Sequence, residues 1–378
     1  MSVNKNPFFL TGYHGPNFFC DRKQETERLT SNLLNGVNST LLSIRRMGKT
    51  GLIHHCFHLL NKNSKVKPVY IDIYSTQNFK EFTNTVAAAV VQAFPESNPI
   101  GKKLMKLIKS FRPIISFDPL TGLPEINLEF SRSGDYEQSL TGILSFLEQQ
   151  KIEVLIAFDE FQQIATYPER NIEAFLRTLI QPLKNVHFIF SGSNKHLLSE
   201  MFNDSKRPFF SSTQAVYLEP IPHQEYFAYI LEKFKQNKRK IDDDSINFIL
   251  DFSKLHTYYT QVICNRLFAC GESKINLETT KLKCSEILKE QEYIFYQYRS
   301  LLTNIQWNLL KAIAKTDKVY HPTSSDFLKI FKVGTATNVQ RALEALLNKE
   351  MIYKDMDGQG QYYRVYDCFL SRWLEQQN

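Results

Sequence analysis

The run Leu41-Leu42-Ser43-Ile44-Arg45-Arg46-Met47-Gly48-Lys49-Thr50-Gly51-Leu52-Ile53 decides how this chain is read. A short apolar strand candidate, a turn ending in Gly-Lys-Thr and the opening of a helix follow one another directly. This order is that of a P-loop. Backbone N–H groups of the turn surround phosphate oxygens, a lysine reaches the β and γ phosphates, and a hydroxyl is set for Mg²⁺. One departure is that Ser43 stands where the motif usually has its first glycine, so the start of the loop must take a conformation that a Cβ tolerates. Gly48 keeps the closest approach free.

The mechanism requires an acidic strand downstream, and Val154 to Phe158 runs straight into Asp159-Glu160. In an open α/β sheet the ligand lies beyond the carboxyl ends of the strands, where both carboxylates would emerge. Asp159 is expected to hold Mg²⁺, directly or through a water. Glu160 is expected to polarise the attacking water, because in-line phosphoryl transfer needs positioned solvent and charge compensation. A third strand, Val186 to Ser191, ends in Ser191-Gly192-Ser193-Asn194, where either serine could sense the γ-phosphate or simply form a turn.

Further outward, helical and strand patterns alternate from residue 20 to about 218. Strands are expected at Thr40 to Ser43, Pro68 to Tyr74, Val154 to Phe158, Val186 to Ser191 and Ala215 to Leu218. Five short apolar strands separated by helices imply an α/β fold with a mainly parallel five-stranded sheet covered on both faces. Phe111 to Phe130 alternates around a turn at Pro119 to Pro124, the pattern of an inserted β-hairpin. Before it, Lys102, Lys103, Lys106 and Lys109 share one helical face, either solvated or a basic stripe. The Pro-flanked Glu219 to Pro222 reads as a boundary, giving a core at 1–219 and a helical lid at 220–298. Residues 299–378 read as three helices followed by a two-stranded ribbon, the layout of a winged helix.

Composition narrows the class. A chain of 378 residues with 43% hydrophobic and 22% charged residues is globular and has room for two or three domains. The formal charge of +7 permits a phosphate-bearing partner without requiring one. No apolar stretch has the length of a membrane span and the opening residues are polar, so a cytoplasmic protein is expected, with no membrane partner. The six cysteines are scattered without a C-x-x-C pair, which points to buried free thiols. His54 and His58 lie one helical turn apart, but no third ligand follows and ordinary packing is expected.

These motifs together resemble AAA+-related P-loop ATPases of the archaeal-ATPase and STAND type, over nearly the whole chain. Phe19-Cys20-Asp21-Arg22 with Glu25 is similar to the family's opening box, which implies that Phe19 lies on the adenine side and Arg22 supports the P-loop. Arg45-Arg46-Met47-Gly48-Lys49-Thr50 matches the R-R-x-G-K-T form of Walker A, so that Arg45, Arg46, Met47, Gly48, Lys49, Thr50 and Gly51 would hold ATP or ADP, with Thr50 and Asp159 on Mg²⁺. Asp159-Glu160 resembles Walker B and Ser191 the sensor-one position. Arg207, before the last strand, falls where relatives carry an arginine finger, in cis or from a neighbouring subunit, and a structural or surface arginine is the equal alternative. His256 sits where the family has its lid motif, but the family's Gly and Pro are missing. Asp367 and Trp373 resemble a structural closing segment.

The winged helix adds a further expectation. Thr337, Asn338 and Arg341 would face outward from the helix Thr335 to Lys349, and Lys332, Arg341 and Lys354 would contact phosphates of double-stranded DNA. Residues 299–378 hold 11 basic against 8 acidic residues, a modest excess that equally suits a protein partner or self-association. The sequence therefore implies a Mg²⁺-dependent ATPase that couples nucleotide state to lid and winged-helix movement. The alternatives are a slow nucleotide-gated switch and a DNA-binding regulator with structural nucleotide.

Overall fold

A computed structural model describes residues 6–61, 65–111, 113–117, 124–128 and 134–377. The chain divides into two compact units, one spanning Gly12–Glu219 and the other joining the N-terminal stretch that ends at Thr11 to Pro220–Asn378.

In the first unit, α1 (Lys23–Leu34), β1 (Ser39–Leu42), α2 (Lys49–Leu60), β2 (Val66–Asp72), α3 (Phe79–Ala93) and α4 (Pro99–Ser110) precede a hairpin of β3 (Pro113–Phe117) and β4 (Pro124–Leu128). Then come α5 (Gly134–Glu148), β5 (Glu153–Asp159), α6 (Ile172–Ile180), β6 (Val186–Gly192), α7 (Lys195–Asn203) and β7 (Gln214–Tyr217). The five long-range strands form one sheet in the order β2-β5-β6-β1-β7, and every pairing is parallel. Alternation along the strands divides the core between the two faces. On β5, Val154, Ile156 and Phe158 enter the cluster formed with α3, α5, α6 and α7, whereas Leu155 and Ala157 enter the one formed with α1 and α2. The abundance of phenylalanine is spent on the first face, where Phe158, Phe161, Phe188, Phe190, Phe202 and Phe209 pack ring against ring. Full burial of each such ring stabilises the fold by roughly 2–3 kcal/mol.

The inserted hairpin is present as two antiparallel strands, with Ile115 opposite Ile126. The turn expected at Pro119 to Pro124 lies, up to residue 123, outside the described residues. Lys102, Lys103, Lys106 and Lys109 are all exposed on α4, whose Leu104 and Ile108 are buried.

The second unit contains α8 (His223–Gln236), β8 (Lys240–Ile241), α9 (Asp243–Phe252), α10 (Thr257–Ala269), β9 (Lys274–Ile275) and α11 (Leu277–Ser300). It continues with α12 (Asn304–Thr316), α13 (Ser325–Phe331), α14 (Ala336–Asn348), β10 (Ile352–Asp357), β11 (Gly360–Val365) and α15 (Cys368–Glu375). Between α8 and α11, β8 and β9 pair as a two-residue parallel ladder. The stretch Asn6–Thr11, grouped with the core in the sequence reading, lies in this second unit. Phe8 is fully buried against Phe234 at 5.2 Å and Phe268 at 6.3 Å, a better fate for an aromatic ring than solvent.

Charged side chains tie α9 and the turn after it to the winged helix. Asp317 at the end of α12 accepts from Lys254 and Arg364, and Arg372 on α15 bridges Asp251 and Glu375. The cleft beside them, about 920 Å³, is lined by these same paired charges. Asp367 caps α15 by accepting from the N–H groups of Phe369 and Leu370, and Trp373 packs between Phe295 and Trp307. Five of the six free cysteines are buried and Cys270 is half-buried. No helix among the described residues is long and apolar enough to cross a membrane.

Candidate nucleotide site

The site forms where β1, β6 and β5 end side by side. Register places Leu41 beside Ser191 and Phe158 beside Phe190, so the turn after β1 and the acidic pair after β5 flank the end of β6. α2 begins at Lys49 after Gly48, whose φ of 97° is one that glycine adopts readily. No side chain caps this helix, so the amides of its first turn remain available to an anion. Arg46 also has positive φ, at 62°, within the loop. Ser43, in place of the usual glycine, is buried and donates to the carbonyl of Ile44 at 2.8 Å. Lys49 is buried too, and its Nζ donates to Ser43 Oγ and Ile44 O, each at 3.3 Å. Burial pulls the Lys49 pKa down, opposed by the negative charge of Asp159 and Glu160.

Asp159 is the centre of the arrangement, only 4% exposed. Its Oδ2 accepts from Thr50 Oγ1 and from Tyr70 OH, both at 2.8 Å. Its Oδ1 accepts from Ser191 Oγ at 2.8 Å and from the Glu160 N–H at 3.1 Å. Glu160 has a left-handed backbone, φ 57°, and its Oε2 accepts from Ser193 Oγ at 2.7 Å, Ser193 N at 3.1 Å and Gln162 Nε2 at 2.6 Å. Ser191 and Ser193, two residues apart on one strand end, thus hold one acidic residue each. Hydroxyl and carboxylate oxygens are the hard ligands that Mg²⁺ takes, and Thr50 is exposed, so the donor set fits that ion.

Arg22 is buried, with left-handed φ of 65° at the start of α1. Its guanidinium donates to Glu25 Oε1 at 3.0 Å, to Met47 O at 3.3 Å and to Glu219 O, bracing the loop against the end of the unit. Phe19 lies 3.7 Å from the position of a Cβ on Gly51 and stacks on His55 at 4.2 Å and 14°. Tyr13 completes that cluster through a 2.9 Å hydrogen bond with His55 Nδ1. Arg45 is half-buried and Arg46 exposed, while Met47 is buried.

Other expected residues lie apart from this group. Arg207 is paired with Glu173 at 2.7 Å, with Glu200 4.0 Å away. His54 packs against Tyr70 at 4.7 Å, and no His, Cys, Asp or Glu cluster suited to a metal occurs among the described residues. His256 stands just before the start of α10, with its ring against Tyr259. On the winged helix, Thr337, Asn338 and Arg341 are exposed on α14, as are Lys332 after α13 and Lys354 on β10. Tyr70 and Gln162 are contacts of the acidic pair to which the sequence assigns no role, whereas Ser193 is one of the two serines it offers for sensing the γ-phosphate.

Comparison with known proteins places the fold. A family model described as "Probable winged helix domain" matches residues 293–376. No curated protein matches the chain in sequence. Among solved structures, a Walker-type ATPase of Pyrococcus abyssi is 18% identical with a TM-score of 0.66, covering 97% of this chain and 99% of its own. The Orc2 protein of Aeropyrum pernix is 15% identical with a TM-score of 0.60, covering 99% and 96%. The Orc1 protein of the same organism, solved in complex with DNA, is 13% identical with a TM-score of 0.53, covering 99% and 97%. The chain has the P-loop fold of the archaeal Walker-type and Orc/Cdc6 AAA+ proteins, followed by a winged-helix domain.

Proposed function

We propose that the chain binds ATP with Mg²⁺ on the P-loop, hydrolyses it to ADP and phosphate, and uses nucleotide state to move the lid and winged helix. The observation that carries this reading is the 2.8 Å hydrogen bond from Thr50 to Asp159, which joins the loop to an acidic strand more than a hundred residues away. Lys49 and the first amides of α2 would hold the β and γ phosphates. Thr50 would hold Mg²⁺, oriented by Asp159 behind it, and the bound ion would neutralise charge on the phosphates. Arg22 keeps the loop in shape through Met47 O, and Phe19 would lie on the adenine side. Glu160 would orient the attacking water through the oxygen that Ser193 and Gln162 leave open. Arg207 would act on a phosphate only once Glu173 releases it.

A slow nucleotide-gated switch is the second reading, favoured by the three donors that tether Glu160 to the end of β6. A base so tied must be freed before it can follow a water. Double-stranded DNA is the proposed partner of the winged helix, supported by the exposed Thr337, Asn338 and Arg341 and by the Orc1 neighbour solved with DNA.

Steady-state phosphate release with Mg²⁺ and ATP, with and without double-stranded DNA, tests the proposal. Glu160→Gln is expected to cut release about a hundredfold or more while leaving ATP bound. Tight ADP retention without release favours the switch. A protein that binds neither nucleotide would end both readings.

A further inference from the structure

We propose that Tyr70 plugs the magnesium site, its hydroxyl occupying the acceptor position on Asp159 that a metal-bound water takes, so that cation loading displaces it. The inference rests on the reading above, in which Lys49, Thr50 and Asp159 receive a Mg²⁺-nucleotide.

An ionised aspartate offers about four acceptor positions, two on each oxygen. All four on Asp159 are filled, by Thr50 and Tyr70 on Oδ2 and by Ser191 and the Glu160 amide on Oδ1. A water bound to Mg²⁺ is a strong donor, and it reaches this carboxylate only if one of the four yields. Ser191 is fully buried on β6 and has no solvent to turn towards. The Glu160 N–H is backbone, fixed by its own left-handed turn. Thr50 is needed by the cation, and its hydroxyl can donate to Asp159 while its lone pairs face the ion.

Tyr70 remains. It lies on β2, the strand paired with β5, two residues before the register partner of Asp159. Its ring is half-buried, packed against His54 and the edge of the core formed with α1 and α2, so solvent reaches this side chain as it does not reach Ser191. Its phenol is a donor, and it gives its hydrogen bond to Oδ2 of the carboxylate. Tyr70 thus satisfies a buried carboxylate in the resting protein and gives way when the ion supplies a better donor.

The test is the binding of a fluorescent ATP analogue to the full chain as MgCl₂ is titrated, in the wild type and in Tyr70→Phe, which keeps the ring on His54. Removing the competing hydroxyl is expected to lower the half-saturating Mg²⁺ concentration about tenfold, the scale of one hydrogen bond to a charged group. Affinity for the analogue in EDTA should stay within about twofold of the wild type, which also reports an intact fold. A half-saturation point that is unchanged, or that rises, overturns the proposal. A wild type that binds no analogue at any Mg²⁺ concentration instead overturns the reading beneath it, so the two failures are told apart.

Discussion

At the acidic site, both oxygens of Asp159 are fully engaged and the residue is 4% exposed, whereas Thr337, Asn338 and Arg341 on α14 stand open to solvent. The four donors on Asp159 come from two strands, the turn after β5 and the head of a helix, brought together from positions 50, 70, 160 and 191. Such convergence is costly to maintain unless every group is partnered, so it narrows the chemistry to a few possibilities. Three polar neighbours on one exposed helix face narrow only sign and shape, which suits a phosphodiester and an acidic peptide alike.

Substitutions separate the two regions, beginning with the buried one. Lys49→Ala removes the cation facing Asp159 and Glu160 and should weaken ATP binding about a hundredfold or more in a fluorescence titration. Unchanged affinity would mean that this saturated cluster is structural. Gly192→Ala sharpens the contrast at intermediate scale. Its Cβ would fall 1.9 Å from Gln162 Oε1, so the carboxamide must swing away and give up its bond to Glu160, leaving the two from Ser193. A loss of about 1–2 kcal/mol is expected in a denaturant melt. The smallest effect belongs to the exposed face, where Arg341→Ala should cost about threefold in affinity for double-stranded DNA and reduce the salt slope by about one. A slope that stays unchanged would remove Arg341 from the phosphate contacts.

The sheet was legible because its strands carry continuous apolar runs bounded by turns, as in VLIAF before Asp159. Two helices of the first unit were not assigned. In α5 the signal exists, with Tyr136, Leu140, Ile143, Leu144 and Leu147 at helical spacing, but it begins directly after the insertion that interrupts the alternation. In α7 the nine residues are short and polar-rich, and only Leu198, Met201 and Phe202 are buried. At the site, Lys49, Thr50, Asp159 and Glu160 were legible because local motifs carry them. Tyr70 was not, since its meaning depends on β2 lying beside β5, a pairing between segments more than eighty residues apart that nothing in PVYIDIY announces. The salt bridge from Arg207 to Glu173 was hidden for the same reason.

The seating of Phe8 among Tyr229, Phe234 and Phe268 bears on how the protein is made and cut. Residues Asn6–Thr11 must wait for partners synthesised more than two hundred positions later, such as Asn265, whose amide donates to Phe8 O and whose carbonyl accepts from Asn6. A C-terminal fragment cloned from Pro220 would lack this plug and leave an aromatic-lined hollow open to water, inviting aggregation. Supplying Asn6–Thr11 as a separate peptide, or splicing it onto the fragment, is the economical way to express that half alone.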